Sequence, residues 1–247
     1  MKPSLTICVP TMGRETLVDT LESIKRQALQ PTDQVLIVLD TFVAQTQIPR
    51  VQALVESYGF TFVAHNGGYA FQGNPQFNRA MELATGDYFC GLGDDDVYVD
   101  GAIARLRKKL GSGRAVLFQF YSPGFMSGLF GMRFLLWHDR DVRVANLSGC
   151  CMAAPRESLV PVSDERRCEV DYEWIRDTVA KTGQKPIWMK DCLVIAQPDV
   201  RHGDVVHRGV GMCRGCGAVG FLEDIDADYL CAECAPLVIR ELLEAHA

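Results

Sequence analysis

The 247-residue chain has no surplus of positive charge: 25 Lys and Arg stand against 31 Asp and Glu, for a formal net charge of −6. Proteins that grip nucleic acid through its phosphates carry the opposite balance, so non-specific DNA or RNA binding is not expected of the chain as a whole. Long apolar runs are missing as well. The longest uncharged stretch, Ala115–Met132, is interrupted by Gln119, Ser122, Pro123, Gly124, Ser127, Gly128 and Gly131, and reads as a buried strand and a glycine-rich loop rather than a membrane span. Leu5–Val9 is too short for a signal-peptide core and no small-residue cleavage site follows it, so a cytoplasmic location is expected. The sequence has no internal repeat and no low-complexity tract.

What is present is an ordinary globular composition, 48% hydrophobic, on a length that suits one large domain with a small appendage. Among the ten cysteines, Cys8 and Cys90 fall inside apolar strand patterns, where a free thiol packs as a small hydrophobe, and a reducing compartment fits them.

Short apolar runs alternate with helical patterns over the first hundred residues, the signature of a βαβ sheet. Strands are predicted at Leu5–Val9, Val35–Leu39, Phe60–Ala64 and Asp87–Leu92. Leu17, Val18, Leu21 and Ile24 recur at helical spacing, and further helices are predicted near Val51–Ser57, from Pro75 to Ala84, and ahead of Gly111. The last of these ends in Arg105, Arg107, Lys108 and Lys109, basic residues that complement a helix C-terminus and therefore read as structural. Strands and loops are expected from Ala115 to Pro161, and a helix over Asp171–Thr182 ending at Gly183.

Three adjacent aspartates, Asp94, Asp95 and Asp96, follow the fourth strand directly. Like charges this close repel one another and raise each other's pKa unless a cation intervenes. Hard oxygen donors in a short acidic loop suit Mg²⁺ or Mn²⁺, which keep open positions for substrate phosphates. The carboxyl ends of strands in an α/β sheet are also where ligands bind. A solvated acidic turn is the alternative reading.

Several of these segments together resemble family 2 glycosyltransferases of the GT-A fold. Val9-Pro10-Thr11-Met12-Gly13-Arg14 is similar to the family's opening Pro-Thr-Tyr-Asn-Arg, and Phe77-Asn78-Arg79-Ala80 with Ala84-Thr85-Gly86-Asp87-Tyr88-Phe89 resembles the stretch that leads to its metal-binding aspartates. The resemblance implies a mixed central sheet flanked by helices over residues 1–200 and a nucleotide-sugar donor, with UDP the favoured base. It implies donor contacts from Pro10, Thr11, Arg14, Asp40, Asn78 and Asp94, with Asp95 and Asp96 as metal ligands. Two departures stand out: the usual Asp-Asp-Gly-Ser is Leu39-Asp40-Thr41-Phe42 here, and the first acidic position of Leu-Asp-x-Asp-Asp is Gly93. Glu169-Val170-Asp171-Tyr172-Glu173-Trp174 resembles the region of the catalytic base, with Asp171 the best match, Glu169 the spare and a simple helix-capping role the alternative. A carboxylate at a helix start is expected to be held ionised by the helix dipole. His202 and His207, in a linker over 201–211, are further candidates for the metal or for closing over the donor, and Trp137-His138-Asp139 for an acceptor platform.

The last motif is Cys213-x-x-Cys216 and Cys231-x-x-Cys234, the spacing of a zinc ribbon over 212–247. Four thiolates leave no open position, so the Zn²⁺ is expected to be structural. This segment carries two basic and seven acidic residues, which disfavours DNA or RNA and points to a protein contact, a lid or a dimer surface. The reading is a metal-dependent, inverting hexosyltransferase-like enzyme. Two rivals are a degenerate transferase fold presenting the ribbon to a protein partner, and a transferase acting on modified bases in DNA.

Overall fold

In the computed structural model, residues 2–67, 73–121, 149–163 and 170–196 are described, with the backbone of 210–212 and 219–221. Apolar runs of four to seven residues form the first strands because both faces of the sheet are covered: β1 (Leu5–Thr11), β2 (Gln34–Asp40) and β4 (Tyr88–Gly91) are buried along nearly their whole length. Between them run α1 (Leu17–Lys25), α2 (Thr41–Ala44), α3 (Ile48–Ser57), β3 (Thr61–His65) and α4 (Asn74–Leu83). After β4 come β5 (Asp96–Tyr98), α5 (Ala102–Arg107), β6 (Val116–Tyr121), β7 (Met152–Pro155), α6 (Val170–Lys181) and β8 (Ile187–Ala196). The hairpin of β9 (Val210–Met212) and β10 (Val219–Phe221) is antiparallel.

The eight-stranded sheet has the order β3-β2-β1-β4-β7-β6-β8-β5. Its first four strands are parallel, and the pairs β4–β7, β7–β6 and β8–β5 are antiparallel. A mixed α/β sheet was expected, and it is what forms. The ends of β1, β2 and β4 consequently lie side by side, with Pro10 opposite Val38, Thr11 opposite Leu39, and Cys8 opposite Gly91.

Two local expectations are corrected. The helix expected near Val51 begins at Ile48, because Pro49 is preset for a first helical turn. A strand, β5, comes directly after the aspartates, where the sequence pattern points to a helix. Its cause is a buried polar stripe formed by α1 and the residues just after it. Thr20 Oγ1 donates to the Asp96 carbonyl at 2.8 Å, Tyr98 N donates to Ser23 Oγ at 3.1 Å, and Gln27 Nε2 donates to the Val99 carbonyl at 3.1 Å. The segment is held extended against α1 and pairs with β8. The basic end of α5 is structural as expected, but through a buried ion pair: Arg107 Nη2 lies 2.5 Å from Asp33 Oδ2, and Nη1 donates to the Pro3 carbonyl.

Candidate active site

The turn after β1 organises the acidic loop. Thr11 Oγ1 donates to Asp94 Oδ2 at 2.7 Å and accepts from Gly13 N at 2.9 Å, and Met12 N donates to the same Asp94 oxygen at 3.2 Å. Gly13 has φ +76°, a backbone region open to glycine and tolerated by asparagine, which the family pattern places there. That turn delivers Arg14, whose Nη1 lies 2.9 Å from Asp95 Oδ2 and 3.5 Å from Asp94 Oδ1. Burial pushes the Asp94 carboxyl above the ordinary range, opposed by the bond from Thr11 and the charge of Arg14.

Asp96 faces the other way: its carboxylate accepts from Gly93 N at 3.1 Å. The glycine at the first acidic position now has a physical reason. A Cβ there would come within 2.8 Å of Asp96 Oδ2 and 2.9 Å of Asp95 Oδ1, so the folded-back carboxylates occupy the space a side chain needs.

Pro10 lies beside this turn at the end of β1, and Asp40 ends β2, where its carboxylate accepts from Phe42 N at 2.9 Å and caps α2. Met12 and Phe42 are exposed apolar side chains on the same edge. Asn78 has its amide turned elsewhere: Nδ2 donates to the Val162 carbonyl at 2.9 Å and Oδ1 accepts from Val162 N at 2.8 Å. One helical turn earlier, Asn74 donates to the Ser163 carbonyl, so α4 clips residues 162–163 in place. Neither clip is visible in the sequence, since the partners lie more than eighty positions away.

Asp171 lies in the first turn of α6, and its carboxylate does not cap its own helix. It accepts from Gly149 N at 2.9 Å. A Cβ on Gly91, the last residue of β4, would come within 3.0 Å of the Gly149 carbonyl and within 2.2 Å of the Phe77 ring, so this close packing needs glycine there. Gly149 thereby ties Asp171 to the strand end that leads into the aspartate cluster. Edge-to-face contacts of Phe77 with Phe89 (5.4 Å) and Trp174 (5.1 Å) fix α6, and Trp174 Nε1 donates to the Val160 carbonyl. Burial is the largest influence on the Asp171 carboxyl and pushes its pKa up, with the Gly149 N–H only partly opposing it.

Gln76 was not singled out by sequence reasoning. Its side chain is buried on α4 close to Gly73, which packs on Pro10, and neither amide atom has a hydrogen-bond partner among the described residues. Glu169, His202, His207, Trp137, His138, Asp139, Cys213, Cys216, Cys231 and Cys234 lie outside the described residues. Among the described residues no three His, Cys, Asp or Glu side chains come together in a way that could hold a metal ion. The outward oxygens of Asp94 and Asp95 do converge on a single cationic nitrogen. Two such hard donors fit a divalent ion that completes its shell with substrate phosphates.

The model of Glycosyl transferase family 2 matches residues 6–159, well over half of the chain. The chain belongs to glycosyl transferase family 2. The family and the fold expected from the sequence motifs are thus found. Solved structures with the same fold include the 1–349 fragment of S. aureus TarS in complex with UDP-GlcNAc (TM-score 0.60, 14% identity, 78% of this chain and 58% of that one). A mannosyltransferase from Pyrobaculum calidifontis, in complex with GDP-Man and Mn²⁺, is also similar (TM-score 0.56, 18% identity, 84% and 60%). So is the Mycobacterium tuberculosis glucosyl-3-phosphoglycerate synthase solved with Mn²⁺, UDP and glucosyl-3-phosphoglycerate (TM-score 0.53, 14% identity, 83% and 77%). The chain thus spans about 60% of the TarS fragment and of the mannosyltransferase, and 37% of a longer TarS structure. No curated protein sequence matches it. No helix among the described residues is long and apolar enough to cross a membrane.

Proposed function

We propose that this glycosyltransferase moves a sugar from a nucleotide-diphosphate donor to an acceptor hydroxyl with inversion at the anomeric carbon. The observation that carries the reading is the pairing, at one end of the sheet, of two carboxylates converging on a cation and a separate buried carboxylate tied in through Gly149. Pro10, Thr11, Arg14 and Asp40 line the donor side, and Asp94 takes the ribose. Asp95 holds a divalent ion, Mn²⁺ or Mg²⁺, with Asp96 completing the loop behind it. When bound, that ion offsets the charge of the departing diphosphate. Asp171 takes the acceptor proton as the hydroxyl attacks, and a raised pKa makes its carboxylate a stronger base once it is ionised. Asn78 acts indirectly, by holding residues 162–163 ahead of α6. The close approach of the Asp95 and Asp96 carboxylates to Gly93 supports reading the glycine as part of a formed acidic loop.

The C-terminal module is read as a structural zinc ribbon. Met212 pairs with Val219 across the β9–β10 hairpin, so Cys213 and Cys216 fall in the six residues that join its strands, the place a metal knuckle takes in a ribbon. Its acidic character favours a protein or intramolecular contact over DNA.

Thermal shift with UDP, GDP and their sugars, with and without Mn²⁺, tests the donor and the metal together, because a ligand that binds only the native state raises its melting temperature. Metal-dependent stabilisation by one nucleotide series is the expected outcome. Absence of any shift, or a shift indifferent to EDTA and to Asp95→Ala, would overturn the reading. One equivalent of zinc per chain, lost on Cys213→Ser, is expected for the ribbon.

A further inference from the structure

Arg14 sits between Asp95, the expected ligand of the divalent ion, and the adjacent carboxylate of Asp94, with one nitrogen 2.9 Å from Asp95 and 3.5 Å from Asp94. We infer that Arg14 is the built-in counter-cation of the metal-free site: the divalent ion must displace it, and the displaced guanidinium then takes up the donor diphosphate. This inference rests on the reading of the site given above and adds an order of events to it.

Three features support it. First, Asp94 cannot turn away, because Thr11 Oγ1 and Met12 N both hold its inner oxygen and its side chain is only 9% exposed. The outer oxygen is therefore left facing Arg14. Second, the guanidinium has solvent on one side where the carboxylate does not: the Arg14 side chain is 46% exposed, while its backbone is anchored by the Leu17 N–H donating to its carbonyl. The side chain is free to swing without disturbing the turn. Third, the neighbouring cation is committed elsewhere, since Arg50 donates to the Gly13 carbonyl and to Gln47 Oε1.

The charge balance sets the sequence of events. A guanidinium offsets one of two adjacent carboxylate charges, and a divalent ion offsets both, but the ion must first expel the guanidinium from a half-solvated ion pair. Metal alone therefore binds weakly. A diphosphate adds oxygen ligands for the ion and a new anionic partner for the planar, fork-shaped guanidinium, so metal and donor favour one another.

The test is Mn²⁺ binding to the full-length protein, followed by electron paramagnetic resonance without nucleotide, and UDP and GDP binding at saturating Mn²⁺ by calorimetry. Wild type is compared with Arg14→Gln and Arg14→Lys, with circular dichroism confirming the fold of each. Arg14→Gln is expected to bind Mn²⁺ alone about fivefold more tightly and nucleoside diphosphate about tenfold more weakly, opposite signs from one substitution. Arg14→Lys, which keeps the charge and loses the fork, is expected to stay near wild type for Mn²⁺ and to fall below it for the nucleotide. Unchanged or weaker Mn²⁺ binding by Arg14→Gln, in a protein whose wild type binds both ligands, overturns the inference and leaves the functional reading standing. A wild type that binds neither ligand overturns that reading and the inference with it.

Discussion

Asp94 and Asp171 are both buried carboxylates whose pKa is raised by loss of water, yet they stand in opposite halves of the sheet and are compensated differently. On the parallel side, Asp94 accepts from Thr11 and Met12 and faces Arg14. On the mixed side, Asp171 accepts from the Gly149 N–H, and among the described residues no cation offsets its burial. A charge surrounded by donors is suited to stay ionised and bind; a charge with little compensation gains by accepting a proton. In the function proposed above, the halves divide the chemistry, donor capture on one and proton transfer on the other.

The sharpest way to break that comparison is Asp171→Asn, which removes the base but retains the shape. Turnover is expected to fall by about 10²- to 10⁴-fold while the nucleotide-induced thermal shift persists. A loss of donor binding instead would put Asp171 on the donor side. Asp95→Ala is expected to do the reverse, weakening Mn²⁺-dependent nucleotide binding by roughly 10- to 100-fold in calorimetry.

A subtler contrast lies in stability against pH. A carboxyl whose pKa is raised by folding binds its proton more tightly in the folded state. The stability this contributes is complete below the ordinary carboxylate pKa and is lost as pH rises through the raised one. Asp171→Asn does not titrate, so its urea midpoint should gain on wild type across that window and the two should converge in acid. A gap that grows toward acid would show the sign of the Asp171 shift to be opposite. On the Asp94 side, Thr11→Val removes a hydrogen bond to a charged group and is expected to cost about 2 kcal/mol of unfolding free energy. The smallest expected effect is at Gln76, whose unpartnered amide makes Gln76→Met stabilising by about 1 kcal/mol, seen as a small rise in melting temperature.

The two halves also differ in how much of them could be read from sequence. Leu5–Val9, Leu17–Ile24 and Val35–Leu39 announce their elements because neighbouring segments pack together and both strand faces are buried, which writes periodicity into the residues themselves. β7 pairs with β4 more than sixty residues away, and β5 is held by Thr20 and Ser23 of α1, with Gln27 just beyond the helix bonding Val99. Local periodicity carries no trace of such pairings. The same limit applies at the site. Asp94, Asp95 and Asp96 were recognisable as a group, but their unlike orientations depend on Thr11, Arg14 and Gly93 acting from different parts of the chain.

The sequence alone was enough for the family, the first βαβ layers, the acidic loop at a strand end and the candidate base, because each is written in contiguous residues or in regular spacing. Only the tertiary structure showed that Arg14 balances Asp94 and Asp95, that Asp96 folds back over Gly93, and that Asp171 is buried against Gly149. The state of a carboxylate depends on the water it loses and the charges around it, and those are set by segments that become neighbours only on folding.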